Sequence, residues 1–353
     1  MLAQAKILLG RPLVVACVAI LALLAAGNLL SPGFASPRQI VNQLIIAALL
    51  GVVAAGQNLV ILAGREGIDL SVGGIISLSA FLAGNLMQQN NANLPLAIVA
   101  VLACSFLVGL MSGIGVTLLR IPPLVMTLGM LGVVNGALVL LTRGVPSGRA
   151  APMLSEFVSR PLLFDLPGIV FIWIAIGVAL ALLLRYTTFG LGIYAIGANE
   201  AAAQLAGVPV RRTRALAFAL SGLFSGVTGI LLLGYTGNVF VGAGDQYMLP
   251  SIIAVVIGGT SLAGGTGAYT GTMAGAVFLV VLQSILTTLD IPAFGRQIVF
   301  GATLLALMPP APAQDMTTAL DERQVGFLSA HDVCGEPGST VRNHAPSGGF
   351  HER

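Results

Sequence analysis

The sequence predicts an all-α, polytopic integral membrane protein of about ten transmembrane helices. Three observations carry that reading. Of 353 residues, 56% are hydrophobic and only 8% are charged, against about 25% charged residues in a soluble domain. Mean hydropathy is +0.97. The apolar residues gather in long runs, and about 20 such residues suffice for a helix to cross the hydrocarbon core of a bilayer. The 45 glycines follow no Gly-X-Y period, so they indicate closely packed membrane helices and not a collagen-like repeat.

The spans follow in order. The run 12–30 comes after Lys6 and Arg11; its length and the spans that follow favour an uncleaved first helix over a secretory signal. Runs at 39–63 and 68–88 are next, the second opening beside Asp69. The runs 94–118 and 122–142 each carry a G-x-x-x-G pair, Gly109/Gly113 and Gly132/Gly136. A run at 166–185 is followed by a polar loop, then by 214–235 with Gly222/Gly226. The run 248–263 is the weakest of the ten. The last two are 268–289, with Gly267, Gly271 and Gly275 at four-residue spacing, and 294–310, which stops at Met308-Pro309-Pro310. On a helix, glycines four apart make a smooth groove for another backbone.

Ten spans with a cytoplasmic N-terminus place 64–67, 119–121, 186–213 and the tail on the inner side. The first residues and those inner segments, with the residues bordering 186–213, hold Lys6, Arg11, Arg65, Arg120, Arg185, Arg211, Arg212 and Arg214; the outer ones hold Arg38, Arg143, Arg149 and Arg160. This bias is the positive-inside pattern. It accounts for the basic balance without a nucleic-acid partner.

Several chemistries are excluded. Lys6 is the only lysine, so no G-x-x-x-x-G-K-[ST] phosphate loop exists and the chain binds no ATP in that manner. GGTSLAGGTG at 258–267 therefore reads as close packing or a broken helix. The histidines, His331, His344 and His351, all lie in the tail, leaving the membrane body without an imidazole for a proton relay, a metal or a catalytic triad. Cys17, Cys104 and Cys334 show no metal spacing. No catalytic residue, metal site or cofactor is expected on this chain.

The loop 186–213 is the segment most unlike its surroundings. Asn199 suits an N-cap and Glu200 the positive end of a helix dipole. Ala201, Ala202, Ala203, Gln204 and Leu205 form helix readily. Gly207 suits a C-terminal stop and Pro209 forbids continuation. The spacing predicts a helix of about two turns at the membrane surface, with Ala198, Ala202, Leu205 and Ala206 on one face. So short a helix is marginal alone and should be docked against something.

Polar residues within spans are candidates for a translocation path: Asn42, Gln43, Gln57, Asn58, Thr127 and Asn135. They could hydrogen-bond a neutral, hydroxylated solute, or equally one another across helices. Asp69 is a functional candidate as an ionisable group at a span edge; pairing with Arg65, or capping a helix that begins at Leu70, is its structural alternative. Gly67, Leu70 and Gly73 recur as Gly259, Leu262 and Gly265 at constant offset, an echo that suits a transporter built from a repeat. Residues 1–310 form the membrane domain. The tail 311–353 mixes charge with scattered Gly and Pro and reads as a disordered extension or a segment translated out of frame; His331, Asp332 and Cys334 suggest a metal site only weakly.

GREGIDLSVGGIISLSAFLAG (64–84), IGANEAAAQLAGVPVRRTR (196–214) with FALSGLFSGVTGILLLG (218–234), and VVIGGTSLAGGTGAYTGTMAGA (255–276) closely resemble permease subunits of bacterial ABC importers for ribose and related monosaccharides. The resemblance runs over about 12–308. It departs at Arg65-Glu66, where a more neutral pair is common, and at the abrupt end of the last helix. It implies a multi-pass subunit of the bacterial inner membrane, paired with a second permease subunit as a dimer. Cytoplasmic ATP-binding subunits would hold the ATP and Mg, and a periplasmic or lipid-anchored sugar-binding protein would deliver the cargo. By resemblance, 196–210 couples to the ATPase, with Gly197, Asn199, Glu200, Ala202 and Gly207 at the family's typical positions. A stand-alone secondary transporter or a permease for branched-chain amino acids are the alternatives.

Overall fold

The computed structural model describes residues 12–307 apart from 65, 146 and 241. Arg65 and the tail 311–353, with the ion-pair, metal and disorder readings attached to them, lie outside the described residues. The helices are α1 (Pro12–Leu30), α2 (Pro37–Leu62), α3 (Val72–Met87), α4 (Leu94–Thr117), α5 (Pro123–Thr142), α6 (Pro152–Ser159), α7 (Gly168–Tyr186), α8 (Thr188–Ala198), α9 (Glu200–Leu205), α10 (Val210–Thr236), α11 (Asp245–Ile257), α12 (Tyr269–Thr288) and α13 (Ala293–Leu307). A two-stranded hairpin, Pro161–Leu163 with Leu166–Pro167, follows α6. Proline opens α2, α4, α5 and α6 within the first two positions, where its missing N–H has no helical partner to lose.

Among the described residues six helices are long and apolar enough to cross a membrane by themselves: α2, α4 with the short turn before it, α5, α7, α10 and α12. Two expected spans are shorter than their apolar runs. The run 68–88 is helical only over 72–87, and 248–263 only over 245–257. At 1.5 Å per residue these helices are about 24 and about 20 Å long, short of the roughly 30 Å hydrocarbon core. Gly259 at positive φ interrupts the run 248–263, and Gly64, Gly264, Gly265 and Gly267, also at positive φ, turn the connections beside the two helices. The run 68–88 gives up its first four residues, where Asp69 accepts from Ser71 N–H ahead of the helix. Within 63–71 and 258–268 the backbone is still partnered: Gly67 N–H donates to the Gly64 carbonyl at 3.2 Å, Ser261 to Thr266 at 3.0 Å and Gly265 to Leu62 at 3.0 Å. Non-helical chain at membrane depth is tolerated where protein supplies those bonds.

The connections sort to two ends. At one end Gly265 bonds Leu62, Arg214 bonds the Ala63 carbonyl, and Glu66, Arg120 and Glu200 share a cleft. At the other, Asn85 donates to the Ser147 carbonyl, Met153 N–H to Asn91, and Arg149 bridges Asn238. Through α3, α4, α5, α7, α10 and α11 the chain alternates between these ends, the short helices α3 and α11 included.

α2 and α10 are central, with 89% and 78% of their apolar windows buried, whereas α4 and α5 are peripheral at 22% each. Glycine pairs set the closest crossings. A Cβ on Gly109 of α4 would overlap the Phe218 carbonyl oxygen and lie 3.0 Å from the Gly222 Cα of α10, and one on Gly222 would overlap the Ser105 carbonyl oxygen. Gly109 and Gly222 thus meet each other, while the second glycine of each pair receives a small residue of the facing helix, Gly113 facing Ala215 and Gly226 facing Ser105. Gly271 and Gly275 receive the backbone of α11 at Gly258 and Ala254. Gly132 and Gly136 differ: with Gly129 they have nothing within 4 Å of an added Cβ, so α5 leaves its glycine face open.

Candidate functional site

The segment between α7 and α10 holds two helices where a loop with one is expected. α8 was masked by its glycines, but Ile193 and Ile196 bury at 0% and 2% exposure and Thr187 caps it by accepting from Gly190 N–H at 3.1 Å. At α9, Asn199 is extended (φ −159°, ψ 106°) and its Oδ1 accepts from Ala202 N–H at 2.9 Å. Gly207 takes φ +83°, the left-handed stop that glycine adopts without a side-chain clash. α10 then starts at Val210, four residues before the apolar run.

α9 packs inward through Ala203, which joins Ile196 and Val210 in a small apolar cluster with Ala195 and Val208. The stripe Ala198, Ala202, Leu205 and Ala206 faces outward, all four exposed. Leu205 is 91% exposed.

The back of this segment is tied to the membrane body at three points. Arg214, 5% exposed, donates to the Glu200 carboxylate at 3.1 Å and to the Ala63 carbonyl at 3.3 Å. Gly197 is packed so closely that a Cβ there would overlap the Leu62 carbonyl oxygen and the Gly265 nitrogen. Tyr194 donates its hydroxyl to the Gly267 carbonyl at 2.8 Å; burial pushes that phenol above its ordinary value, which keeps it a donor. The ends of α2 and α10 and the connection 258–268 therefore all bear on the α8–α9 segment.

The path candidates divide. Gln57, Asn58 and Asp69 are fully buried. With its amide oriented to satisfy both neighbours, Gln57 donates to the Asp69 carbonyl and accepts from the Asp69 N–H, each at 3.2 Å. Asp69 accepts from Ser71 N–H at 3.0 Å, from the Ser71 hydroxyl and, at 2.7 Å, from the Ser221 hydroxyl of α10. It sits ahead of a helix that starts at Val72, not Leu70. Asn58 donates to Thr260 at 2.9 Å and Thr272 at 3.0 Å. These three residues brace the broken connections. Thr127 donates to the Ile68 carbonyl at 3.2 Å and Gln43 to Ser284 at 3.2 Å, bonds of the same kind. Asn42 and Asn135 are exposed, Asn135 beside Gly74 of α3, and neither joins the buried group.

The sequence reading missed Ser221, Thr260 and Thr272, the Arg214 pairing, and a buried relay in which Trp173 Nε1 donates to Tyr269 Oη at 3.0 Å and Tyr269 to the Gly51 carbonyl at 2.7 Å. The side-chain pairs are separated by up to 214 residues, so no periodicity exposes them. Trp173 alone had a signal, as the single tryptophan of the chain.

A bundle of long apolar helices with broken helices and a tethered short helix at one end defines an all-α, polytopic membrane protein. The family described as branched-chain amino acid transport system / permease component matches residues 39–308, and the chain belongs to it. The ribose import permease protein RbsC of Escherichia coli strain K12 is 34% identical over 295 residues, covering 82% of this chain and 90% of its own length. The autoinducer 2 import system permease protein LsrC of Escherichia coli O9:H4 strain HS is 36% identical over 262 residues, covering 74% of this chain and 75% of its own. No solved structure gives a significant match.

Proposed function

We propose that this chain is the membrane-spanning subunit of an ATP-driven importer that carries a neutral monosaccharide, ribose or a related sugar, across the bacterial inner membrane. Separate cytoplasmic ATPase subunits, holding ATP and Mg, dock on α9. A sugar-binding protein delivers the cargo on the opposite side, and a second permease subunit, in a homodimer, completes the path. The N-terminus is cytoplasmic in this reading. The observation that carries it is the pairing of an outward apolar stripe on α9, with Leu205 almost wholly exposed, and a rigid tether behind it. A six-residue helix that buries Ala203 against its own chain and leaves Ala201, Ala202, Gln204 and Leu205 exposed presents a surface.

The mechanism follows from the tether. Closure of the ATPase subunits displaces α9. Gly197 and the Glu200–Arg214 pair pass that displacement to the ends of α2 and α10 and to 258–268, which continue into α3 and α11. The helices then rock between openings, and the population of each state follows the binding energy that favours it. No covalent step occurs in this chain.

A neutral cargo agrees with the interior. Among the described residues the buried charged side chains are Asp69 and Arg214, and both are engaged by protein partners. A second cargo, autoinducer 2, is favoured by one observation: relatives named for ribose and for autoinducer 2 are nearly equal in identity, 34% and 36%.

The test is uptake into proteoliposomes containing the full-length chain, its ATPase subunit and its binding protein. Saturable, ATP-dependent accumulation of a monosaccharide is expected. Accumulation driven by an ion gradient with no ATPase present would assign the chain to the secondary transporters instead.

A further inference from the structure

A cleft of about 850 Å³ opens beside α9, between that helix, the start of α10 and the turn 117–123 after α4. Its lining brings Arg120, Arg211, Arg212 and Arg214 together with Glu66 and Glu200. Glu200 is paired with Arg214. Arg120, Arg211 and Arg212 are exposed and hold no ion pair among the described residues. The floor adds to this excess: Arg214 Nε is buried and has no acceptor among the described residues. Three guanidinium groups without an ion partner among the described residues, against the one further carboxylate of Glu66, leave the concavity with an excess of positive charge, and a carboxylate entering it accepts strong, often bidentate, charge-assisted bonds.

What enters is indicated by the walls. One wall is α9 itself, through Glu200 and Gln204, so the cleft is continuous with the docking stripe. Leu205, 91% exposed, follows the lining residue Gln204 in sequence, and Leu118 and Leu119, 59% and 69% exposed, lie in sequence between the lining residues Thr117 and Arg120. An apolar anchor next to an arginine that becomes desolvated on contact is the composition of a protein-binding hot spot. We propose that this cleft receives an acidic segment, Asp or Glu side chains, of the cytoplasmic ATPase subunit. The proposal rests on the reading of α9 as the docking helix and adds the sign of charge that the partner must present. Complementary charge there sets association rate and register, while the apolar stripe holds the complex.

The experiment uses the full-length chain in lipid nanodiscs and the ATP-hydrolysing subunit that co-purifies with it. Binding is measured at low and high salt for wild type, for Arg211→Glu with Arg212→Glu, for the same pair changed to Lys, and for Leu205→Asp. The charge reversal is expected to weaken binding at low salt about tenfold or more and to flatten the salt dependence, with the Lys pair recovering most of the loss. Both arginines are exposed, so unchanged melting checks that folding is intact. If Leu205→Asp abolishes binding while the reversal does nothing, the acidic-segment proposal is overturned and the docking helix stands. If neither variant weakens binding, the docking reading itself fails. A reversal effect seen in discs containing phosphatidylglycerol but lost in phosphatidylcholine alone would assign the cleft to a lipid headgroup and overturn the proposal.

Discussion

Gly197 and Gly265 meet backbone to backbone. A side chain on Gly197 would occupy the space of the Gly265 nitrogen, whose N–H donates to the Leu62 carbonyl at 3.0 Å. Three segments far apart in sequence are joined there without a side chain between them. The atoms that a methyl on Gly197 would strike are backbone and cannot rotate away. Gly197→Ala should therefore cost about 1–3 kcal/mol of stability by overpacking and lower ATP-dependent uptake disproportionately. Thermal melting in detergent and uptake in proteoliposomes check the two effects; wild-type uptake at reduced stability would show that the joint carries no movement.

The Glu200–Arg214 pair is unequal in exposure, with side chains 33% and 6% accessible. Removing the carboxylate leaves a buried guanidinium short of a charged partner. Buried pairs broken in this way cost about 3–5 kcal/mol, but water reaches Glu200 and screens the loss, so Glu200→Gln should cost about 1–2 kcal/mol. Arg214→Met removes the charge that needs a partner. The double variant should then be less destabilised than the sum of the single ones, as a double-mutant cycle on melting would show. Simple additivity would mean that the pair is not coupled.

Much of this architecture was legible in the chain. Apolar run length located the ten helices, and the Asn199–Gly207 pattern located α9 with its cap and stop. What could not be read was direction around each helix. On a helix apolar on all sides, polar and apolar faces have no contrast, so Asn42 and Asn58, on the same helix α2, look alike although one is exposed and the other fully buried. Run length also hid where 248–263 breaks, because a glycine such as Gly259 continues an apolar run whether it sits in a helix or in a left-handed turn. It hid the late start of the helix in 68–88 as well, because Ile68 and Leu70 are apolar in either conformation. The Arg214–Glu200 pairing and the Thr260 and Thr272 partners of Asn58 arise from tertiary contact alone.

That difference between the asparagines is testable. Asn58 donates two buried hydrogen bonds, to Thr260 and Thr272, and Asn58→Leu leaves two threonine hydroxyls to find other partners. A loss of about 1–3 kcal/mol is expected. Asn42→Ala and Asn135→Ala act on exposed positions and should change stability by no more than about 0.5 kcal/mol. If these two line the path, the apparent affinity for sugar in uptake will fall while melting stays constant. A destabilised Asn42→Ala variant would place Asn42 among the bracing residues instead.

Leu205 and Gly207 separate surface from shape at the same helix. Leu205 is 91% exposed, so Leu205→Asp should leave the isolated chain as stable as wild type, within about 0.5 kcal/mol, and yet remove ATPase binding. Gly207 has no atom within 4 Å of an added Cβ, so Gly207→Val meets no obstacle in space. Its φ of +83° is the constraint, since a β-branched residue is strained in the left-handed region. The valine should reorient the end of α9 without touching its contact residues. If docking needs the stripe held at a fixed angle, Gly207→Val will impair ATP-dependent uptake while crosslinking between a cysteine at position 205 and the ATPase persists at reduced yield. Normal uptake in Gly207→Val would show that the contact surface of α9 suffices and that its angle does not matter.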